Sequence, residues 1–235
     1  MEQHAVEPEY GMQRVLRQLL AVVEKELRSE FRQRVSAAVT VLTIGVIVVI
    51  FALALRGVAL SAELFSALLW VVFFLCVSPA VGRSFLAEEE RGTRLLLYAT
   101  TSPGALYWGK LVTNMLIGFL TMLLGCGLLA LVLAVPLGGE LWALGVLIGV
   151  AAVGFAACLT LLSAAIAGAH HRGMLLPVVS VPIVVPLLVP GIEATQLLLE
   201  GGRWAAIAPL LSLMLGYGGV IAVVGFWLFE WVWHE

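Results

Sequence analysis

The stretch SPGALYWGKL, residues 102–111, places Gly104, Gly109 and Lys110 at the spacing G-x-x-x-x-G-K. In a P-loop that spacing lets backbone N–H groups cradle phosphates, while the lysine reaches the outer phosphates and a following Ser or Thr binds Mg²⁺. Here the following residue is Leu111, and Leu106, Tyr107 and Trp108 fill the turn with bulk. No buried strand leads into Ser102, and no acidic strand elsewhere offers a metal ligand. The segment is therefore not expected to bind nucleotide.

Other groups with chemical potential are sparse. His170 and His171 stand next to Arg172, but adjacent residues on a short connection do not easily face one ion, so they read as part of a surface loop. Cys76, Cys126 and Cys158 sit singly in apolar runs with no C-x-x-C spacing, which predicts small core residues rather than a disulfide framework or a metal site. The C-terminal WVWHE reads as an interfacial anchor. No Asp, Glu, Lys, Arg or His falls well inside the long apolar runs, which argues against ion-coupled transport and against intramembrane hydrolysis. No catalytic residue and no metal ligand set is predicted.

The elements that must position these residues are set by composition. Of 235 residues 62% are hydrophobic and 12% charged, and mean hydropathy is +1.07, which identifies an all-α integral membrane protein. The net charge of −2 points to no nucleic-acid partner. Apolar runs of about the 20 residues that cross a bilayer lie at about 37–55, 64–82, 113–135, 141–168, 174–190 and 205–229. Pro177, Pro182, Pro186 and Pro190 are expected to kink or unwind the fifth, with neighbouring helices satisfying the carbonyls they leave free. On the fourth, Gly145, Gly149, Ala152 and Ala156 permit close helix approach.

Residues 1–11 contain Glu2, Glu7 and Glu9 but no Lys or Arg, unlike a cleaved leader, and are expected to be retained. With six spans and the N-terminus inside, the outer segments hold only Arg56 and Arg203, and the other Lys and Arg residues fall inside. Both termini are therefore expected on the cytoplasmic face. Trp142 and Trp204 then lie near the outer interface, and Trp108, Trp227, Trp231 and Trp233 near the inner one.

Ahead of the first span, Met12, Val15, Leu16, Leu19, Val23, Leu27 and Phe31 form one helical stripe backed by charge, as in a helix lying in the interface plane. The division expected is a tail over 1–11, an amphipathic interfacial helix over 12–35 and a six-helix membrane domain over 36–235, with an inner loop at about 83–112. In that loop Glu88, Glu89 and Glu90 and the Arg91–Arg94 turn precede Leu95, Leu96 and Leu97. An exposed apolar strip with a charged rim fits a docking surface for a soluble partner. The loop closes in an interfacial elbow, where Pro103 and Gly104 turn the chain, Tyr107 and Trp108 sit at headgroup level and Lys110 faces the cytoplasmic surface.

This order of elements resembles the six-helix permease subunits of ABC exporters, the ABC-2 type. The resemblance lies in the loop pattern F-x-x-E-x-x-x-G ending in G-K, here Phe85, Glu88, Gly92, Gly109 and Lys110. Within that group, HRGMLLPVVSVPIVVPLLVPG is similar to the stretch after the fourth span in the haem exporter permeases of the cytochrome c maturation system. Arg172, Gly173, Leu175, Leu176, Pro182, Pro186, Leu187 and Leu188 carry that likeness. It runs from about residue 15 and departs at Gly82, where the family tends to carry Glu, and in the extra N-terminal residues.

The resemblance implies a non-catalytic half-transporter. Two copies would supply the spans, ATP would be bound and hydrolysed on a separate ABC ATPase docked on the inner loop, and other cytochrome c maturation membrane subunits would assemble with it in a bacterial inner membrane. Haem would be its substrate, with no cofactor bound directly. The chain lacks the Trp-rich W-G-x-x-W-x-W-D signature of related haem-handling subunits, so a partner is a candidate haem carrier. Alternatives are export of a drug, lipid or polysaccharide by the same fold, or a non-transporting membrane scaffold.

Overall fold

The computed structural model describes residues 8–32, 34–56, 58, 60–81, 101–135, 141–166 and 172–233. They form α1 (Pro8–Arg32), α2 (Arg34–Ala54), α3 (Ala62–Val81), α4 (Pro103–Val132), α5 (Leu141–Ile166), α6 (Arg172–Leu199) and α7 (Trp204–Trp233). No strand occurs among the described residues. Helices α2 to α7 are long and apolar enough to cross a membrane, so the all-helical architecture with six spans after an amphipathic helix is observed. The chain is a multi-pass membrane protein.

Helix α5 is the centre of the bundle. Seventy-two per cent of its span is buried, against 11% for α2, and α4, α6 and α7 all pack on it. Among the described residues of α2, Ile44 and Val48 are the buried ones, while Leu42, Val46, Val49, Ile50 and Leu53 are exposed, as suits a helix whose outer perimeter meets lipid. The core is aromatic where α3, α5 and α6 meet. Trp70 packs edge-on to Phe73 and 6.2 Å from Phe155. Its indole Nε1–H donates to Thr195 Oγ1 at 2.9 Å, and that hydroxyl donates to the Gly191 carbonyl at 2.7 Å. Because the Trp70 ring lies where a Cβ on residue 191 would stand, this helix crossing requires glycine.

The close approaches differ from those expected on α5. Gly145 and Gly149 have open space around them, whereas Ala152 and Ala156 are buried. The tight contact is at Gly154, against Leu187 of α6 and against Gly218 of α7, where a Cβ on 218 would come within 3.1 Å of the Gly154 Cα. Spacing four placed the small residues on one face but did not say which face meets a neighbour.

Helix α6 is continuous through Pro182, Pro186 and Pro190, so local unwinding is not observed. Each proline removes a donor for the carbonyl four residues earlier and crowds that turn. Beside this disturbed ladder the Ile183 carbonyl accepts the Tyr217 hydroxyl of α7 at 2.8 Å and the Cys158 thiol of α5 at 3.7 Å. Ile183 is not itself a carbonyl that a proline leaves free, because Leu187 follows it four residues on, so these contacts from α5 and α7 lie next to the freed carbonyls and not on them. Gly201, at φ 73°, and the Gly202 N–H bonded to Leu197 O at 2.7 Å end the helix. The extension past residue 190 brings Glu193, exposed, into the span Val179–Leu199. No ionisable residue is expected well inside a span, and with these longer helices Glu193 and Lys110 fall within spans, towards their ends.

Candidate functional site at the α1 end of the bundle

The P-loop-like residues are helical. Ser102 is the N-cap of α4, in extended conformation with φ −70° and ψ 145°, and its Oγ accepts the Ala105 N–H at 3.4 Å. Pro103 follows at the first helical position, where its missing N–H costs nothing. Gly104 to Lys110 continue the helix, so Pro103 and Gly104 begin an element rather than bend an elbow. The helix starts about ten residues earlier than hydropathy alone indicated. At about 1.5 Å per residue its 30 residues, counting these added first turns, exceed the roughly 30 Å hydrocarbon core.

Those first turns are covered by α1. Tyr107 is fully buried with Leu106, Val22 and Phe229, and its hydroxyl donates to the Ala222 carbonyl of α7 at 3.0 Å. Tyr107, expected at headgroup level, is thus enclosed by neighbouring helices. Trp108 is half-buried beside Phe226, 6.1 Å between ring centroids. At the opposite end, Trp142 and Trp204 pair at 4.8 Å. The two predicted aromatic sets therefore do occupy opposite ends of the bundle.

Lys110 gives the largest correction. It is 0% exposed, and its Nζ lies 3.4 Å from Glu26 Oε1 of α1. Sequence reasoning placed it on the surface because a lysine next to an apolar run ordinarily snorkels. One step earlier, Gly109 lets α1 approach: a Cβ there would stand 2.7 Å from Val22 Cγ1. Further back, at the helix start, the Ser102 hydroxyl donates to Gln18 Oε1 at 3.1 Å. Gln18, Val22 and Glu26 recur every four residues and define the packing face of α1. That face lies roughly a quarter turn from the centre of the apolar stripe, and Val15, Leu16 and Leu20 remain exposed, free to meet the headgroup layer.

Further in, Asn114, one turn beyond Lys110, donates through Nδ2 to Thr160 Oγ1 of α5 at 2.8 Å. Both are buried, as are Thr113 and Ser163. Sequence reasoning passed over Gln18, Glu26, Asn114 and Thr160. The signal available was the regular spacing of Gln18 with Glu26 and of Lys110 with Asn114, in multiples of four, which sets polar groups on one face of each helix.

Of the other predicted residues, Phe85, Glu88, Glu89, Gly92, Leu95 and Leu96 lie outside the described residues, as do His170 and His171. The ends that flank the loop, Val81 of α3 and Ser102 before α4, are described, and Val81 is buried. Arg172, Gly173 and Pro177 fall in the first turns of α6, while Pro182 and Pro186 are exposed further along it. Cys76, Cys126 and Cys158 are buried free thiols. Among the described residues no three His, Cys, Asp or Glu side chains converge on a metal-sized site.

The CcmB protein family matches residues 17–228, from within α1 to the last turns of α7. The heme exporter protein B of Bradyrhizobium diazoefficiens is 28% identical over 187 residues, covering 78% of this chain and 83% of that protein. Since the family match takes in all seven helices and the loop between α3 and α4, the chain belongs to the CcmB protein family.

Proposed function

We propose that this chain is the membrane permease subunit of an ATP-driven haem exporter serving cytochrome c maturation. The observation that carries this reading is the family match over residues 17–228, and the name of the Bradyrhizobium relative supports haem as the substrate. The chain does no hydrolysis itself. Its G-x-x-x-x-G-K residues are packed in a helix instead of forming a phosphate cradle, so ATP belongs on a separate ATPase subunit. The inner loop with Phe85, Glu88, Glu89, Gly92, Leu95 and Leu96 receives that subunit. A second copy and other cytochrome c maturation membrane subunits complete the assembly, in a bacterial inner membrane with both termini cytoplasmic. The placement of Lys and Arg supports that orientation.

Deleting the chain from its host tests this reading. Covalently haem-stained c-type cytochromes should disappear, and should return with the chain plus an active ATPase subunit but not with a hydrolysis-dead one. Normal cytochromes c in the deletion strain, with loss of drug, lipid or polysaccharide export instead, would sink it.

A further inference from the structure

We propose that Ser78 and Pro79 form a two-position hinge in α3, at which the last turn of the helix bends toward α4 while the rest of α3 stays locked. The locked part is held at Trp70, whose ring fills the space that Gly191 leaves on α6 and whose indole donates to Thr195 at 2.9 Å. Near it α4 is close as well: a Cβ on Gly125 would stand 3.1 Å from Val72 Cγ1. At the Val81 end the fit is slacker. A Cβ on Gly118 of α4 would meet Val77 Cγ1 at 3.6 Å and Val81 Cγ2 at 3.9 Å, ordinary contact distances, so there is room for a methyl group between the end of α3 and α4.

Pro79 stands inside α3, which continues to Val81. It brings no N–H to the Leu75 carbonyl, and its ring crowds that turn. Two residues turn a helix by about 200°, so Val77 and Val81, both buried, face away from the exposed Pro79. Opening the crowded proline side therefore closes the other side and carries the last turn into the space beside Gly118.

Ser78 supplies the second position. Hydroxyls elsewhere in the bundle bond back to a carbonyl one turn earlier: Ser66 to Ala62 O at 2.7 Å, Thr113 to Gly109 O at 3.0 Å, Thr121 to Ile117 O at 2.8 Å and Thr195 to Gly191 O at 2.7 Å. Ser78 Oγ is buried too, yet it has no hydrogen-bond partner. A serine that bonds back in this way bends its helix, and three residues behind Ser78 lies the carbonyl that Pro79 cannot serve. The straight form keeps the helix ladder in line and leaves the hydroxyl unpaired. The bent form gives the hydroxyl to Leu75 O and takes up the slack against α4. Each form thus satisfies what the other leaves unmet, which makes two discrete positions rather than a continuous flexing.

Hydrogen exchange read by mass spectrometry on the full chain in lipid nanodiscs tests the hinge, and it needs neither haem nor an ATPase, so its outcome is separate from the functional reading. Amides 80 and 81 report the last turn of α3, and those of α5 serve as the reference. Ser78→Ala removes the group that only the bent form pairs, so exchange at 80 and 81 should slow by about tenfold, roughly the worth of one hydrogen bond, with α5 unchanged. Pro79→Ala restores the N–H and should slow the same amides, and adding Ser78→Ala to it should change them by less than about twofold. Gly118→Ala fills the slack at ordinary contact distance and should also slow them.

Unchanged exchange at 80 and 81 in Ser78→Ala would overturn the hinge. So would equal slowing in α3 and α5, which would mean only that losing an unpaired buried hydroxyl steadies the whole fold. A tenfold effect of Ser78→Ala that persists beside Pro79→Ala would separate the two residues and overturn their joint role, and unchanged exchange in Gly118→Ala would overturn the bend toward α4.

Discussion

At the scale of single residues, several side-chain hydrogen bonds among the described residues join helices where they cross. Trp70 has to satisfy its indole N–H away from water, and Thr195 does so while also bonding back to Gly191. Thr195→Val keeps the shape and removes the acceptor, so it should destabilise the detergent-solubilised chain by about 1–3 kcal/mol, the cost of leaving a buried donor unpaired. Thr195→Ser should cost much less, and thermal melts of the two variants check the difference. Gly191→Ala should cost about 1–3 kcal/mol through overpacking against the Trp70 ring. For Asn114 and Thr160, a double-mutant cycle should give about 0.6 kcal/mol of coupling, the usual worth of a hydrogen bond between membrane helices.

At the scale of elements, α6 shows how a helix carries three prolines in one span. Tyr217→Phe removes the hydroxyl given to Ile183 O, and hydrogen exchange of the amides at 183–185 and 187–189 should quicken while α5 is unchanged. Equal protection in both proteins would show that the ladder beside Pro186 needs no outside donor. What the sequence made legible among the elements was whatever depends on length and composition. All six spans were visible, because about 20 apolar residues in a row leave few other readings. The start of α4 was misread because Pro103, Gly104, Tyr107, Trp108 and Lys110 are each common at membrane interfaces, although Ser102 followed by Pro103 is equally a helix start. The seat of α1 was legible only as a polar face on each helix, through the spacing of Gln18 with Glu26 and of Lys110 with Asn114, and not as a contact between them. The partner of Lys110 lies 84 residues away, and no local pattern encodes a contact over that separation. For the same reason spacing located the small residues of α5 but not the Gly154–Gly218 crossing.

At the scale of the whole molecule, the three native thiols are buried, so an introduced cysteine is the reactive one. With a membrane-impermeant maleimide on whole cells, Glu200→Cys should label and Arg28→Cys should label only after permeabilisation. Both positions lie outside the core, Glu200 exposed and Arg28 with its guanidinium in water, and the opposite pattern would invert the orientation. Purified without its partner, the chain should bind no ATP, and Lys110→Ala should leave no nucleotide affinity to lose. Fluorescent-nucleotide titration checks this, and saturable binding to the unmodified chain would reverse the assignment of ATP to a separate subunit.

The pairing of Glu26 with Lys110 also sets an order of events during synthesis. At about 5–20 residues per second, 84 residues separate the two by on the order of ten seconds. During that interval α2 and α3 enter the bilayer while the carboxylate of Glu26 waits in water. The ammonium on α4 then arrives to a counter-charge already in place. A nascent chain stopped before α4 has no seat for α1, and one translated from a start after α1 brings in Lys110 without Glu26. Such chains should be shorter-lived than the full chain in a pulse-chase, because the contacts that seat α1 on α4 are missing. The first helix made is thus completed by one of the later ones, and the joint between them serves as a checkpoint that the intervening spans have been laid down.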